Sequence, residues 1–413
     1  MSDAQRWRRA ETRGTELAHK AVPALITGGA GDDPAGVMTY TVVGATTGMS
    51  QLWLLVLSTP MLAAAISMAA RLALATQSGL AAVIENRYGR PVSAVIVLML
   101  AVANIATIAA DLSGVAAVLG MLTGMPWEIF VPLVLLVLGF VLHRGYGKVK
   151  RVLTALTFVL LSYVGAVVIA RPDWAEVIRA TLVPQLSLSP TWLVAALGLL
   201  GTTISPYMLF WQANEEAEEL RDGTSIQVRQ ENASVWLGMI YSNLISFFVI
   251  VAAATTIHSG GEHIQELADA ARALSPLGPL GEVVFIMGVV GAGLLALPVL
   301  AGSTAYAVAE VFGWPEGLGE RAAQRRGFSL VLAGSLMGGG VIAFWPNFHP
   351  AHALFYSQVL DGVLLPVVML ILLVLSNDRH IMGNARNPRW VNWTAVVTIV
   401  VSLAAIFVAV SGR

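Results

Sequence analysis

Gly28-Gly29-Ala30-Gly31-Asp32-Asp33-Pro34-Ala35-Gly36 sets two carboxylates and a helix-breaking proline inside an otherwise apolar stretch. Its surroundings make that expensive. Of the 413 residues 56% are hydrophobic and 12% charged, with a mean hydropathy of +0.74. Soluble domains carry roughly 25% charged residues, so this chain belongs in a bilayer. A carboxylate at the centre of a membrane helix costs at least ~2.5 kcal/mol and marks a functional site by default. Irregular backbone at that depth persists only where protein or a water-lined cavity satisfies it.

Apolar runs of spanning length occur near 22–48, 51–75, 91–122, 126–143, 149–170, 191–219, 233–257, 280–312, 327–345, 351–376 and 391–411. The sequence therefore predicts an all-α membrane protein of about eleven spans. Residues 1–20 are polar, lack an apolar core and read as a cytosolic tail rather than a cleavable signal. With that tail inside, only Arg171, Arg179, Arg272 and Arg413 of the 24 Lys and Arg residues fall outside. The positive-inside rule then sets a cytosolic amino terminus, an extracytosolic carboxyl terminus and residence in the cell (inner) membrane.

The first and sixth spans share a pattern: Gly28, Gly29 and Gly31 precede Pro34, and Gly198 and Gly201 precede Pro206. Five spans separate the two interruptions, so spans one to five and six to ten have opposite orientations. Matched Gly/Pro breaks in two halves point to a midplane substrate site in an inverted-repeat transporter. The expected layout is one transport domain over 21–413, with repeats at about 21–170 and 191–376 and a peripheral helix at 391–411.

An unwound segment frees backbone carbonyls, and a carboxylate beside them completes the oxygen-rich shell that hard divalent ions prefer. Asp33 is the leading ligand; Asp32 points about 100° away if helical and stands as a pathway residue. Carbonyls near Ala30 and Thr202, together with the Ser205 hydroxyl, complete the shell, and Thr203 lies beside them. Gln358 and Asp361 share one face of the tenth span. Gln358 is taken as a ligand, and Asp361 as either a pathway residue or half of an interhelical hydrogen bond. Asp111 lies deep in the third span, where a proton relay, a supporting role beside the site or a pathway ion pair accounts for it better than exposure to lipid. The acidic run Glu215 to Glu219 reads as a solvated helix end, Met208 as apolar packing, and His349 with His352 as a pair lacking the further ligands that zinc needs.

Several classes are excluded. The chain has no cysteine, no basic face for nucleic acid and no phosphate-binding loop for a nucleotide. An intramembrane enzyme would require paired catalytic acids, for which Asp33 with Asp361 is the one conceivable pair, and no enzyme activity or cofactor is expected. Nothing in the sequence demands an oligomer.

The chain resembles the NRAMP family of divalent metal transporters. The resemblance rests on the Asp33-Pro34 break, Ala106-Thr107-Ile108-Ala109-Ala110-Asp111-Leu112, Gly201 to Tyr207, and the run from Ser376-Asn377 through Met382-Gly383 to Asn387-Pro388-Arg389-Trp390-Val391. It covers nearly the whole chain and implies a LeuT-like 5+5 fold, alternating access and import of a divalent cation. Departures from the family pattern are specific: Gly36 replaces an asparagine, Ser205 a methionine, Tyr207 a histidine and Gly114 a glutamate. Loss of sulfur relaxes discrimination against hard ions, and smaller side chains leave room for the waters magnesium gives up reluctantly. The expectation is import of Mg²⁺ or Mn²⁺ with weak or absent proton coupling, as in NRAMP-related magnesium transporters. The alternatives are a standard proton-coupled Mn²⁺/Fe²⁺ symporter and, further off, a sodium- or proton-coupled organic solute symporter.

Overall fold

The computed structural model describes residues 33–144, 158–221, 228–260, 264–317 and 326–411. Ala30, Asp32 and the amino-terminal tail lie outside these residues, as does the first half of the opening span. Among the described residues the secondary structure is helical, joined by turns.

In chain order the helices are α1 (Pro34–Thr47), α2 (Leu52–Thr76), α3 (Leu80–Tyr88), α4 (Arg90–Thr123), α5 (Phe130–Arg144), α6 (Ser162–Ala170), α7 (Trp174–Leu182) and α8 (Pro190–Thr203). They continue with α9 (Pro206–Arg221), α10 (Val228–Thr256), α11 (Leu267–Ala271), α12 (Pro279–Phe312), α13 (Arg326–Ala343), α14 (Pro350–Leu375), α15 (Arg379–Met382) and α16 (Arg389–Ser411). Among the described residues eight spans, counting α8 with α9 as one, are long and apolar enough to cross a membrane, and the apolar helices at Trp127–Leu142 and Phe158–Ala170 are shorter. With α1, each of the eleven expected runs holds a helix.

The contact pattern fits the expected inverted repeat. The described half of the first span, α1, packs on α10 of the seventh, while α9 of the sixth packs on α2 of the second. Each broken span thus leans on the second span of the opposite half. The third members of the halves, α4 and α12, are both 34 residues long and lie against each other. Their length comes from unbroken apolar sequence ending at left-handed glycines, Gly124 (φ 71°) and Gly313 (φ 66°), where a side chain would strain the backbone.

Enclosed by α4, α8, α10, α12 and α14, α1 is the innermost helix. It is apolar around its whole circumference, as a helix without a solvent face must be. Its threonines Thr39, Thr41, Thr46 and Thr47 return their hydroxyls to carbonyls one turn back, at 2.7 Å each. The last helix, α16, lies outside, against α2, α8 and α14, with few buried side chains, as expected of a peripheral span.

Candidate functional site

The site begins with the capping of α1. Proline at the first helical position has no amide to lose, and Asp33 in extended conformation caps the helix, its Oδ1 accepting the Gly36 amide at 2.6 Å. The Ala35 amide donates instead to Oδ1 of Asp111, brought from α4, at 3.0 Å. Val37 makes the first helical hydrogen bond, to the Asp33 carbonyl. Two carboxylates thus occupy the free first-turn amides of α1, where the helix dipole favours negative charge. This local satisfaction explains how two fully buried acids persist side by side. Gly36, which has no side chain to offer, contributes its backbone amide.

The other half of the break lies between α8 and α9. The helix stops at Thr203; Ile204 adopts φ −121° and ψ 63°, and Pro206 cannot continue the hydrogen-bonding ladder. Ser205 donates its hydroxyl back to the Gly201 and Thr202 carbonyls, at 3.0 Å each. Its oxygen keeps its lone pairs, while Thr202 Oγ1 is buried without a partner among the described residues. Tyr207, buried in the first turn of α9, donates its phenol to Asp33 Oδ2 at 3.3 Å, and Ser303 of α12 anchors its carbonyl at 2.9 Å. Thr203 spends its proton on the Leu199 carbonyl, so in its 3.2 Å contact with Tyr40 the tyrosine is the donor. These bonds fasten α1 to the broken span at two levels.

A third side is supplied by α14. A Cβ on Gly201 would stand 2.0 Å from the Gln358 carbonyl oxygen, and one on Gly362 would stand 2.2 Å from the Leu197 carbonyl oxygen. The two backbones therefore touch, which fixes the height of Gln358 and Asp361 against the break. Both side chains are buried, and neither has a hydrogen-bond partner among the described residues. Asp33, Asp111 and Asp361 lie within electrostatic reach of one another. Among the described residues no three His, Asp or Glu side chains close on a single point as a ready metal cage.

A cleft of about 430 Å³ opens on one face of the bundle, lined in part by Ala117, Met121, Trp127, Gln265, Glu266 and Ala351. One turn below Ala117 and Ala351 lie Gly114 and Leu354. The Leu354 methyls sit 3.0 and 3.2 Å from where a Gly114 Cβ would be. An apolar side chain thus occupies the ground beside the position where the family's usual glutamate would stand.

One sequence expectation needs amendment, and one contact had no signal in the sequence. The acidic end of α9 is not simply solvated: Glu216 is buried and accepts from Gln212 at 2.8 Å, and Tyr306 donates to Glu218. The cause is α12, which covers that face. The sequence also gave no sign that Glu310 of α12 would accept the Ala81 and Ala82 amides at the start of α3, at 3.0 and 3.2 Å. His349 and His352 lie on the cleft side with rings 5.7 Å apart, and His349 Nδ1 is engaged with the Asn347 carbonyl. Met208 packs against the apolar core.

A bundle in which α1 and the broken sixth span pack reciprocally around buried carboxylates is a membrane transporter of LeuT-like architecture. The chain belongs to the Natural resistance-associated macrophage protein-like (Nramp) family, whose pattern it matches over residues 24–411. It is 26% identical over 387 residues to the divalent metal cation transporter MntH of Granulibacter bethesdensis, covering 91% of this chain and 84% of that one. The MntH of Agrobacterium fabrum is 27% identical over 385 residues, covering 89% and 82%. Among solved structures, the Eremococcus coleocola manganese transporter superposes with a TM-score of 0.76 at 19% identity, covering 97% of this chain and 88% of that one. MhsT in complex with L-phenylalanine superposes at 0.65 with 13% identity, covering 94% and 98%. The MntH relatives and the Eremococcus coleocola protein are named as metal transporters.

Proposed function

We propose that the chain imports divalent metal cations, Mg²⁺ or Mn²⁺, by alternating access, with Asp33 as the central ligand and weak or absent proton coupling. One observation carries this reading: the first-turn amides of α1 are already taken by the protein's own carboxylates. In transporters of anionic organic solutes, a half-helix terminus is left to meet the substrate's negative charge. Here the terminus is filled and negative charge remains, so the complementary cargo is a cation. The names of the MntH relatives agree with a divalent metal as that cargo.

The ligand chemistry supports a hard ion. Asp33, the Thr202 carbonyl, Ser205 and Gln358 offer oxygens and one amide with no sulfur, a set suited to Mg²⁺ and Mn²⁺. Ala30 and Asp32 belong to the same proposal through the sequence alone. With Gly114 under Leu354 and Tyr207 in place of a histidine, no readily titrating side chain stands at either usual proton-handling position. The driving force is then the membrane potential, at ~2.3 kcal/mol per charge per 100 mV. We place the cleft on the extracytosolic face, in keeping with the distribution of Lys and Arg.

The test is uptake of Mg²⁺, Mn²⁺ and Ca²⁺ into liposomes containing the purified chain, with internal pH recorded in parallel. Metal entry without matching acidification is expected. Uptake of none of the three ions removes the proposal, and acidification in step with metal removes the uncoupled mechanism.

A further inference from the structure

Of the three buried acids around α1, two are spoken for. Asp33 accepts from the Gly36 amide and the Tyr207 phenol, and Asp111 accepts from the Ala35 amide. Asp361 is 1% exposed, and neither of its carboxylate oxygens has a hydrogen-bond partner among the described residues. One turn before it on the same face, both polar atoms of the Gln358 amide are also buried without a partner. No Lys or Arg occurs in residues 33–70, 91–143, 190–220, 230–256, 279–312 or 350–375, so these stretches around the break offer no basic side chain, and the arginines of their helices stand at or near the helix ends.

An ionised carboxylate in such a place needs a partner, because burial without one is far costlier than any packing gain. It also has no room to move away: the Gly201 and Gly362 contacts press its helix backbone against α8. The four open acceptor positions of a free carboxylate accompany an amide with its own open oxygen, and the carboxylate lies within electrostatic reach of Asp33.

We propose that Asp361 is a second carboxylate of the cation site, holding the ion beside Gln358 and Asp33 through waters the ion retains, and so favouring the more strongly hydrated magnesium. This rests on the reading of the break as a cation site. The outer-sphere form fits the arrangement: three acids lie within electrostatic reach, yet among the described residues no three acidic or imidazole groups converge as direct ligands. Magnesium keeps several waters and binds through one or two carboxylates, whereas manganese accepts direct ligation more readily. Asp361 would recognise the water shell, and Asp33 the ion itself.

The experiment uses the full chain in liposomes, with Mg²⁺ and Mn²⁺ supplied separately at sub-saturating concentration. Asp361→Asn is expected to lower Mg²⁺ uptake about tenfold or more, the scale of losing an outer partner of a metal, and Mn²⁺ uptake less than about threefold. Asp361→Glu should keep the preference for Mg²⁺. Unchanged uptake of both ions in Asp361→Asn, or an equal fall in both, overturns the assignment. Thermal unfolding supplies a second measurement. Without divalent ions Asp361→Asn should melt no lower than the unmodified chain, since a buried charge is gone, and Mg²⁺ should raise its melting temperature less. A lower ion-free melting temperature with an undiminished Mg²⁺ effect would make Asp361 a structural residue instead. If the unmodified chain transports neither ion, the cation reading itself fails, a result visible before any variant is made.

Discussion

Asp111, from the middle of α4, accepts the Ala35 amide at 3.0 Å across 76 residues of sequence. That bond closes the amino-terminal turn of α1 from outside, while Asp33 closes it from within. A carboxylate that the sequence offers as a proton relay, a support of the site or a pathway ion pair thus holds a helix terminus in place.

Removing the acceptor should therefore cost stability as well as transport. Asp111→Leu strands a buried amide, and about 1–3 kcal/mol is the usual penalty. Asp111→Asn keeps an acceptor oxygen and should lose much less. Unfolding of both variants in detergent, compared with their uptake in liposomes, checks the order.

The contact between α8 and α14 leaves no room for a side chain. Gly201→Ala and Gly362→Ala would drive a methyl into backbone carbonyls at 2.0 and 2.2 Å, and backbone cannot yield as a side-chain end can. Overpacking of this kind costs about 1–3 kcal/mol, and here it also displaces Gln358 and Asp361. Both variants should lose most uptake, whereas Gly139→Ala and Gly334→Ala, with open space around them, should retain it.

Tyr207→Phe removes one hydrogen bond to Asp33, worth about 1 kcal/mol. Uptake should survive at reduced rate, and its dependence on pH through neutrality should match that of the unmodified chain. A variant whose pH profile shifts would show that Tyr207 takes part in proton movement.

Ser205→Met would replace the hydroxyl that returns to the Gly201 and Thr202 carbonyls with a thioether. Softer ions gain from sulfur, so the ratio of Mn²⁺ or Cd²⁺ to Mg²⁺ uptake should rise in competition assays. A ratio that stays flat would mean that residue 205 does not face the ion.

Away from the membrane core, Asp378 caps α15 through the His380 amide and meets Arg87 Nε of α3 at 2.8 Å. The His380 amide, then Arg87, holds its carboxyl below the usual carboxylate range. A group depressed in the folded state contributes stability above its unfolded pKa and loses it as the pH falls through the folded one. Arg87→Ala should therefore lower the melting temperature at neutral pH, and the difference should close in acid. A difference that persists at low pH would assign the effect to lost packing of the arginine stem.

The sequence by itself determined the places where helices start and stop and the presence of charge in the membrane. Proline without an amide, extended backbone before it and eleven apolar runs are local properties, legible at Asp33-Pro34 and Ser205-Pro206. The matched spacing of the breaks made the reciprocal fold legible too. Tertiary structure decided what each carboxylate does. Asp33, Asp111 and Asp361 look alike as acids in apolar segments, and only the fold assigns the Ala35 amide to Asp111 and the Tyr207 phenol to Asp33 while leaving Asp361 without a donor among the described residues. The physical reason is that free hydrogen-bond donors in a bilayer core are few, since most backbone amides are already used within helices. Which acid receives one depends on contacts between helices distant in the chain, such as the approach of Gly201 to Gln358, and helical periodicity within one segment carries no information about those.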